Sequence, residues 1–260
     1  PPDHCPGFPS AAKLANLVVH ATRLDYDAYT RPEVFVLETM GRDAGWLAAS
    51  CCLSGDVDLL VLPEVPFDRQ AFLGHVQQKM DAQGSCYIVI SEGARYADGT
   101  YISAGESAND GFAHAVLGGA ALTLKQMILD AGIAPRGVVQ DLSRAARSSN
   151  FAQSKVDVAE AFELGLSAHM RSADPGFTAQ VVGVRRGQTA EGSYDPRYFA
   201  GPAAEFANFV KTFPQEWILP DYQGITEEAL DYFRPLVAGE PDIIYGENGL
   251  PKTVIPYNLR

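Results

Sequence analysis

The chain has 260 residues, 47% of them apolar and 20% charged, with a formal net charge of −12. This describes a globular protein large enough for one large or two intimate domains. It holds no apolar run near the ~18 residues of a membrane span, and its negative far field disfavours nucleic acid and anionic lipid, so neither is expected as a partner.

Cys5, Cys51, Cys52 and Cys86 show neither CxxC nor Cys/His ligand spacing. No zinc site and no disulfide framework is therefore read, no metal ligand is assigned, and a cytoplasmic location is the expectation. The chain opens Pro1-Pro2 without an initiator Met, and residues 1–9 read as loop, so the natural start is expected to lie upstream.

Ser10 is placed to cap a helix over Ala11–Tyr29, where Leu14, Leu17, Val18 and Ala21 recur at helical spacing before Pro32 enforces a stop. Three short runs of β-formers follow, Val34–Leu37, Leu59–Leu62 and Tyr87–Ile90, each closed by polar or Gly/Pro residues. Their unbroken apolar character predicts buried parallel strands. Helical patterns lie at Ala44–Leu53, Asp68–Ala82 and Gly111–Ala131. This β-α-β-α-β-α order predicts an α/β fold with a doubly wound parallel sheet, a Rossmann-like layer with right-handed crossovers.

Further on, a helix is expected over Val156–Met170 after Ser154, with Val158, Ala161, Phe162, Leu164 and Ala168 on its apolar face. Val181–Val184 reads as a strand, 187–203 as connection, Ala203–Val210 and Thr226–Leu236 as helices, and Asp242–Arg260 as coil or edge structure.

In a doubly wound sheet, ligands sit beyond the carboxyl ends of the strands, here the loops Glu38–Gly45, Pro63–Phe67 and Ser91–Asp98. Glu38, Arg42, Glu64 and Glu92 lie in them, each carboxylate being as readily a helix cap as a functional group. Arg136, Arg144 and Arg147 fall within twelve positions. That density is explained by a solvated loop or by anion capture, for which guanidinium forks suit phosphate oxygens. The stretch Glu38-Thr39-Met40-Gly41-Arg42-Asp43-Ala44-Gly45 carries a strand into a Gly-containing turn that opens a helix. It has neither the GxGxxG nor the GxxxxGK[ST] spacing.

These phrases together resemble the phosphofructokinase family. Asp3-His4-Cys5-Pro6-Gly7-Phe8-Pro9-Ser10-Ala11-Ala12, Glu38-Thr39-Met40-Gly41-Arg42, Pro63-Glu64-Val65-Pro66-Phe67, Ser91-Glu92-Gly93, Arg147-Ser148-Ser149 and Ser154-Lys155-Val156-Asp157 are similar to family segments in family order. Asp98–Ser103, Glu216-Trp217-Ile218 and Gly249-Leu250-Pro251 resemble the bacterial-type pyrophosphate-dependent branch.

The resemblance implies transfer of a phosphoryl group from pyrophosphate, or ATP, to fructose 6-phosphate. Met40, Gly41 and Arg42 would border the sugar phosphate, Glu64 would accept sugar hydroxyls, and Arg147 would hold the 6-phosphate. Arg144 would add phosphate affinity and Arg42 would stabilise the moving phosphoryl group, as the catalytic residue of this segment. Ala146-Arg147 departs from the family's Gln-Arg pair, and the family's second phosphate-binding arginine has Arg31 and Arg136 as nearby substitutes.

The resemblance also implies Mg2+ whose ligands, with the catalytic Asp and the donor loops, lie outside the chain, and a homo-oligomer. Residues 1–150 would form the fructose 6-phosphate-binding lobe, and 151–260 a helical and irregular segment completing a donor lobe mostly absent from the chain. The alternative is a non-catalytic sugar-phosphate-binding or regulatory subunit.

Overall fold

The computed structural model describes residues 2–28, 30–103 and 119–252. Two compact units divide the chain: Ala15–Arg144 with Asn208–Arg234, and Pro1–Leu14 with Ala145–Ala207 and Pro235–Arg260. No helix among the described residues is long and apolar enough to cross a membrane.

The first unit is built on a parallel sheet of four strands, β1 (Glu33–Thr39), β2 (Leu59–Val61), β3 (Ser85–Ser91) and β4 (Gly137–Asp141), in the order β2-β3-β1-β4. β1 is buried at every residue and β3 at all but its first. Both faces of the sheet are covered, which is why these strands read as unbroken apolar runs. On one face Val34, Val36, Ile88 and Ile90 pack against Phe72 and Val76 of α3 (Arg69–Gln83) and Leu124 and Ile128 of α4 (Ala120–Asp130). On the other, Phe35 stacks on its register partner Tyr87 with ring centroids 4.7 Å apart, and Tyr26 of α1 (Phe8–Asp27) meets Phe35 edge-on.

The short α2 (Trp46–Ser50) lies with α1, since Asn16 Nδ2 donates to the Ser50 carbonyl at 2.9 Å. The crossover from β1 to β2 runs one way along the sheet on that face. Those through α3 and α4 run the other way on the opposite face, as right-handed connections require.

Local chemistry sets the helix ends. The Asp68 carboxylate accepts from the Gln70 and Ala71 amides at 2.8 and 3.0 Å to open α3, and Gly84 closes it at φ 73°. Ala44 and Gly45, expected to be helical, are spent on the turn before α2, and of the helix expected over 111–131 the first residues, through 118, lie outside the described residues. α4 has no side-chain cap of its own. Its amides at Gly119 and Ala121 donate to the Glu38 carboxylate at 3.0 and 2.8 Å instead.

In the second unit α6 (Lys155–Arg171) packs on an antiparallel hairpin of β5 (Gln180–Gln188) and β6 (Tyr194–Pro202). β6 replaces the connection expected over 187–203. Its two prolines hid it, and a two-stranded ribbon tolerates them because each strand has a free edge. β4, an edge strand with only partial burial, shows too short an apolar run to be legible. It leads into the single turn α5 (Ser143–Ala146). The helix expected over 203–210 is a 3-10 turn at Ala203–Glu205, with Asn208 at φ 62°. α7 (Glu227–Phe233) opens with Thr226 accepting from the Ala229 amide.

α6 inverts the expected amphipathicity. Asp157 and Glu160 are its buried residues, while Val158 and Phe162 are exposed. Asp157 accepts from the Gly7 and Ser10 amides at 2.8 and 3.1 Å, so it caps α1 and takes the role assigned above to Ser10. Ser10 lies inside the first turn and donates its hydroxyl to the same carboxylate.

Glu160 accepts from Tyr194 Oη at 2.6 Å and meets His4 Nε2 at 2.7 Å, while His4 Nδ1 meets Asp3 at 3.0 Å. With a carboxylate on each ring nitrogen, the buried imidazole satisfies both only as the doubly protonated cation. Burial by itself would lower its pKa, but the hydrogen bonds and charges of Asp3 and Glu160 outweigh it and hold it above the ordinary value of 6.5.

Because the folded value is raised, the stabilisation is full below the ordinary value and is lost as pH climbs through the folded one. His4→Gln is expected to cost about 3 kcal/mol in urea unfolding at pH 6. The wild type should lose stability toward alkaline pH while the variant stays flat in that window; parallel pH profiles would contradict the charged clasp.

Candidate functional site

Thr39 and Ser91 are register partners at the carboxyl ends of β1 and β3, so the two following loops start side by side. They are joined backbone to backbone. The Gly93 amide donates to the Gly41 carbonyl at 3.0 Å, the Glu92 amide to the Thr39 carbonyl at 3.0 Å, and Ser91 Oγ to the Gly41 carbonyl at 2.6 Å. In return the Gly41 amide donates to Glu92 Oε1 at 3.2 Å. Arg95 Nη2 donates to the Arg42 carbonyl at 3.1 Å and pairs with Asp43 at the same distance.

Two glycines make this approach possible. Gly41 sits at φ 153°, and a Cβ there would lie 2.4 Å from Ser91 Oγ. A Cβ on Gly93 would lie 1.7 Å from the Arg42 carbonyl oxygen, well inside contact distance.

The result is a fixed turn carrying Met40, Gly41 and Arg42, all half-buried, beside Glu92. Burial raises the Glu92 carboxyl above its usual range, although the Gly41 amide and the Arg42 charge pull it down. A carboxyl so placed suits hydrogen bonding to a hydroxyl, next to a cation suited to a phosphate. In the sequence Glu92 is one of three loop glutamates, with nothing local to single it out. Its pairing with Gly41 depends on β3, not β2, being the neighbour of β1.

Glu64 follows β2, one strand further out. Its Oε1 accepts from the Gly45 amide at 2.9 Å and the Phe213 amide at 2.8 Å, so it opens α2 and anchors the 211–217 segment. Trp46 Nε1 donates to the Lys211 carbonyl at 2.7 Å, and the Trp46 ring meets Phe213 edge-on, which holds the same segment. Glu38, left above between cap and functional group, is a cap: buried, fully engaged at the start of α4, and raised in pKa by that burial.

Beyond β4, Arg144 is exposed on α5, and Arg147 is exposed just after it, in the part of the chain that belongs to the other unit. Among the described residues no carboxylate forms an ion pair with Arg42, Arg144 or Arg147. Arg136 pairs with Glu33 at 3.1 Å, and Arg31 lines a small cavity with Tyr26, Pro32 and Gly84; both stand at the amino ends of the strands.

Among the described residues no group of three His, Cys, Asp or Glu side chains could hold a metal ion. A hard cation prefers ionised, uncommitted carboxylates. Glu38 and Glu64 are occupied by backbone amides and Glu92 is raised in pKa, so these residues do not fit Mg2+.

Gly93→Ala is expected to separate the two loops. Amide exchange at Gly41 and at residue 93 should accelerate at least tenfold in the variant while the β1 and β3 amides stay protected; unchanged exchange would contradict the contact geometry.

The family model described as Phosphofructokinase matches residues 2–168. The chain is 40% identical over 260 aligned residues to the pyrophosphate--fructose 6-phosphate 1-phosphotransferase of Halomonas elongata, covering 96% of this chain and 60% of that protein. It is 37% identical to the protein of the same name from Xanthomonas campestris pv. campestris, over 99% of this chain and 62% of that one. Among solved structures, a pyrophosphate-dependent phosphofructokinase from Marinobacter aquaeolei superposes with a TM-score of 0.81 at 29% identity, over 100% of this chain and 63% of that one. The chain thus spans about three fifths of the length of the relatives it matches. With an α/β parallel sheet, a matched family model over more than half its length and relatives at this identity, the chain belongs to the phosphofructokinase family.

Proposed function

We propose that the chain is the acceptor-sugar portion of a pyrophosphate-dependent 6-phosphofructokinase, which moves a phosphoryl group from pyrophosphate to the 1-hydroxyl of fructose 6-phosphate. The observation that carries this reading is the glycine-locked pair of loops that presents Met40-Gly41-Arg42 and Glu92 on one edge of the sheet. The activity in the relatives' names supports pyrophosphate as donor over ATP.

In this reading Arg147, with Arg144, captures the 6-phosphate, a task suited to ionised guanidinium groups that no carboxylate among the described residues neutralises. Glu92 and Glu64 orient sugar hydroxyls, Glu64 through Oε2, the less engaged of its oxygens. Holding the acceptor in one pose converts a bimolecular step into a nearly unimolecular one. Arg42 lies close enough to Glu92 to influence its titration, and its backbone is fixed against Gly93, so its guanidinium is within reach of charge developing on the transferred group.

The base that takes the hydroxyl proton, and Mg2+, which supplies charge neutralisation on the donor when bound, belong to polypeptide outside these residues. Residues 1–150 act as the acceptor lobe and 151–260 complete a donor lobe. The complete enzyme is a cytoplasmic homo-oligomer.

Calorimetric titration tests the sugar-phosphate assignment. Fructose 6-phosphate should bind and fructose should not, and Arg147→Ala should weaken binding about 30-fold, the ~2 kcal/mol of a charge-assisted contact. Equal binding by the variant would sink the assignment. With the residues that complete the relatives restored, turnover should occur with pyrophosphate; turnover with ATP alone would reverse the donor assignment.

A further inference from the structure

α6 is turned inside out for a helix of a free-standing protein. Its carboxylates Asp157 and Glu160 are 4% and 3% exposed, whereas Val158, Phe162, Leu166 and Met170 are 40%, 68%, 40% and 69% exposed. The four apolar residues recur every four positions, so they form one continuous ridge of the kind that packs into the groove of another helix. Gly165 leaves open space beside this ridge, and Tyr198 of β6 lines a shallow groove next to Leu166 and Met170. Single exposed apolar residues are ordinary, but a ridge of four is an interaction surface.

The family comparison indicates the occupant. Relatives that match 96–99% of this chain are longer, and the match leaves about two fifths of their length without a counterpart here. The ridge is bordered by Glu163 and Arg171, a mixed pair unlike the uniformly basic border that suits an acidic membrane.

We propose that the Val158-Phe162-Leu166-Met170 ridge is the docking surface for the portion of polypeptide that the longer relatives carry and this chain does not span. The assignment concerns assembly and uses none of the catalytic roles given above, so its test reads association instead of turnover.

The test compares hydroxyl-radical modification of Phe162 and Met170 in the 260-residue chain with that in a form where the unmatched residues of the Halomonas elongata relative are restored in native order. If the restored form does not fold as one chain, those residues are co-expressed as a separate polypeptide. Modification should fall at least fivefold in the restored or co-expressed form. Phe162→Glu should lower the melting temperature of that form by several degrees and leave the 260-residue chain unchanged. Equal modification in both, failure of the separate polypeptides to associate, or a ridge already protected in the chain alone through self-association would each overturn the proposal.

Discussion

The hydrogen bond from the Gly93 amide to the Gly41 carbonyl, with no side chain on either residue, is the constraint on which the site depends. It exists because β1 and β3 are parallel neighbours that end in register at Thr39 and Ser91. Everything placed at this edge inherits its position from that closure. Arg42 is held by its own carbonyl against Gly93 and Arg95, and Glu92 is held by the Gly41 amide. Fixing the backbone of the turn removes loop ordering from the cost of binding and leaves only the side-chain rotamers to be ordered when a ligand arrives.

A second theme is the use of carboxylates far away in sequence as helix caps. Glu38 opens α4, Asp157 opens α1 and Glu64 opens α2. Each satisfies amides that the helix itself leaves unpaired and places a negative charge at the positive end of the helix. These contacts knit strands and helices of each unit together without apolar burial. They also explain why Glu38, which looks functional by its position after a strand, is structural.

What was legible in the sequence follows from these facts. β1, β2 and β3 were legible because burial on both faces leaves a run of apolar β-formers, and α3 was legible through the helical pattern over Asp68–Ala82. β4 and β6 were not, since one is a half-buried edge and the other carries prolines. α6 was found, but its apolar residues were assigned inward when Asp157 and Glu160 occupy that face. No local pattern shows that two carboxylates will be buried by amides 147 or more positions away or by a histidine near the chain start. Met40, Gly41 and Arg42 were singled out by the resemblance of their segment to the family's, not by the turn, which has no phosphate-loop spacing of its own. The partnership of that turn with Glu92 needed the strand order, which the alternation of helices and strands does not specify.

The central claim is that fructose 6-phosphate binds over the paired loops after β1 and β3. Hydrogen exchange followed by mass spectrometry, with and without saturating fructose 6-phosphate, tests it most directly. Slower exchange in peptides covering 40–45 and 91–95, with the amino ends of the strands unchanged, is the predicted result; bound ligand that protects neither loop would contradict it.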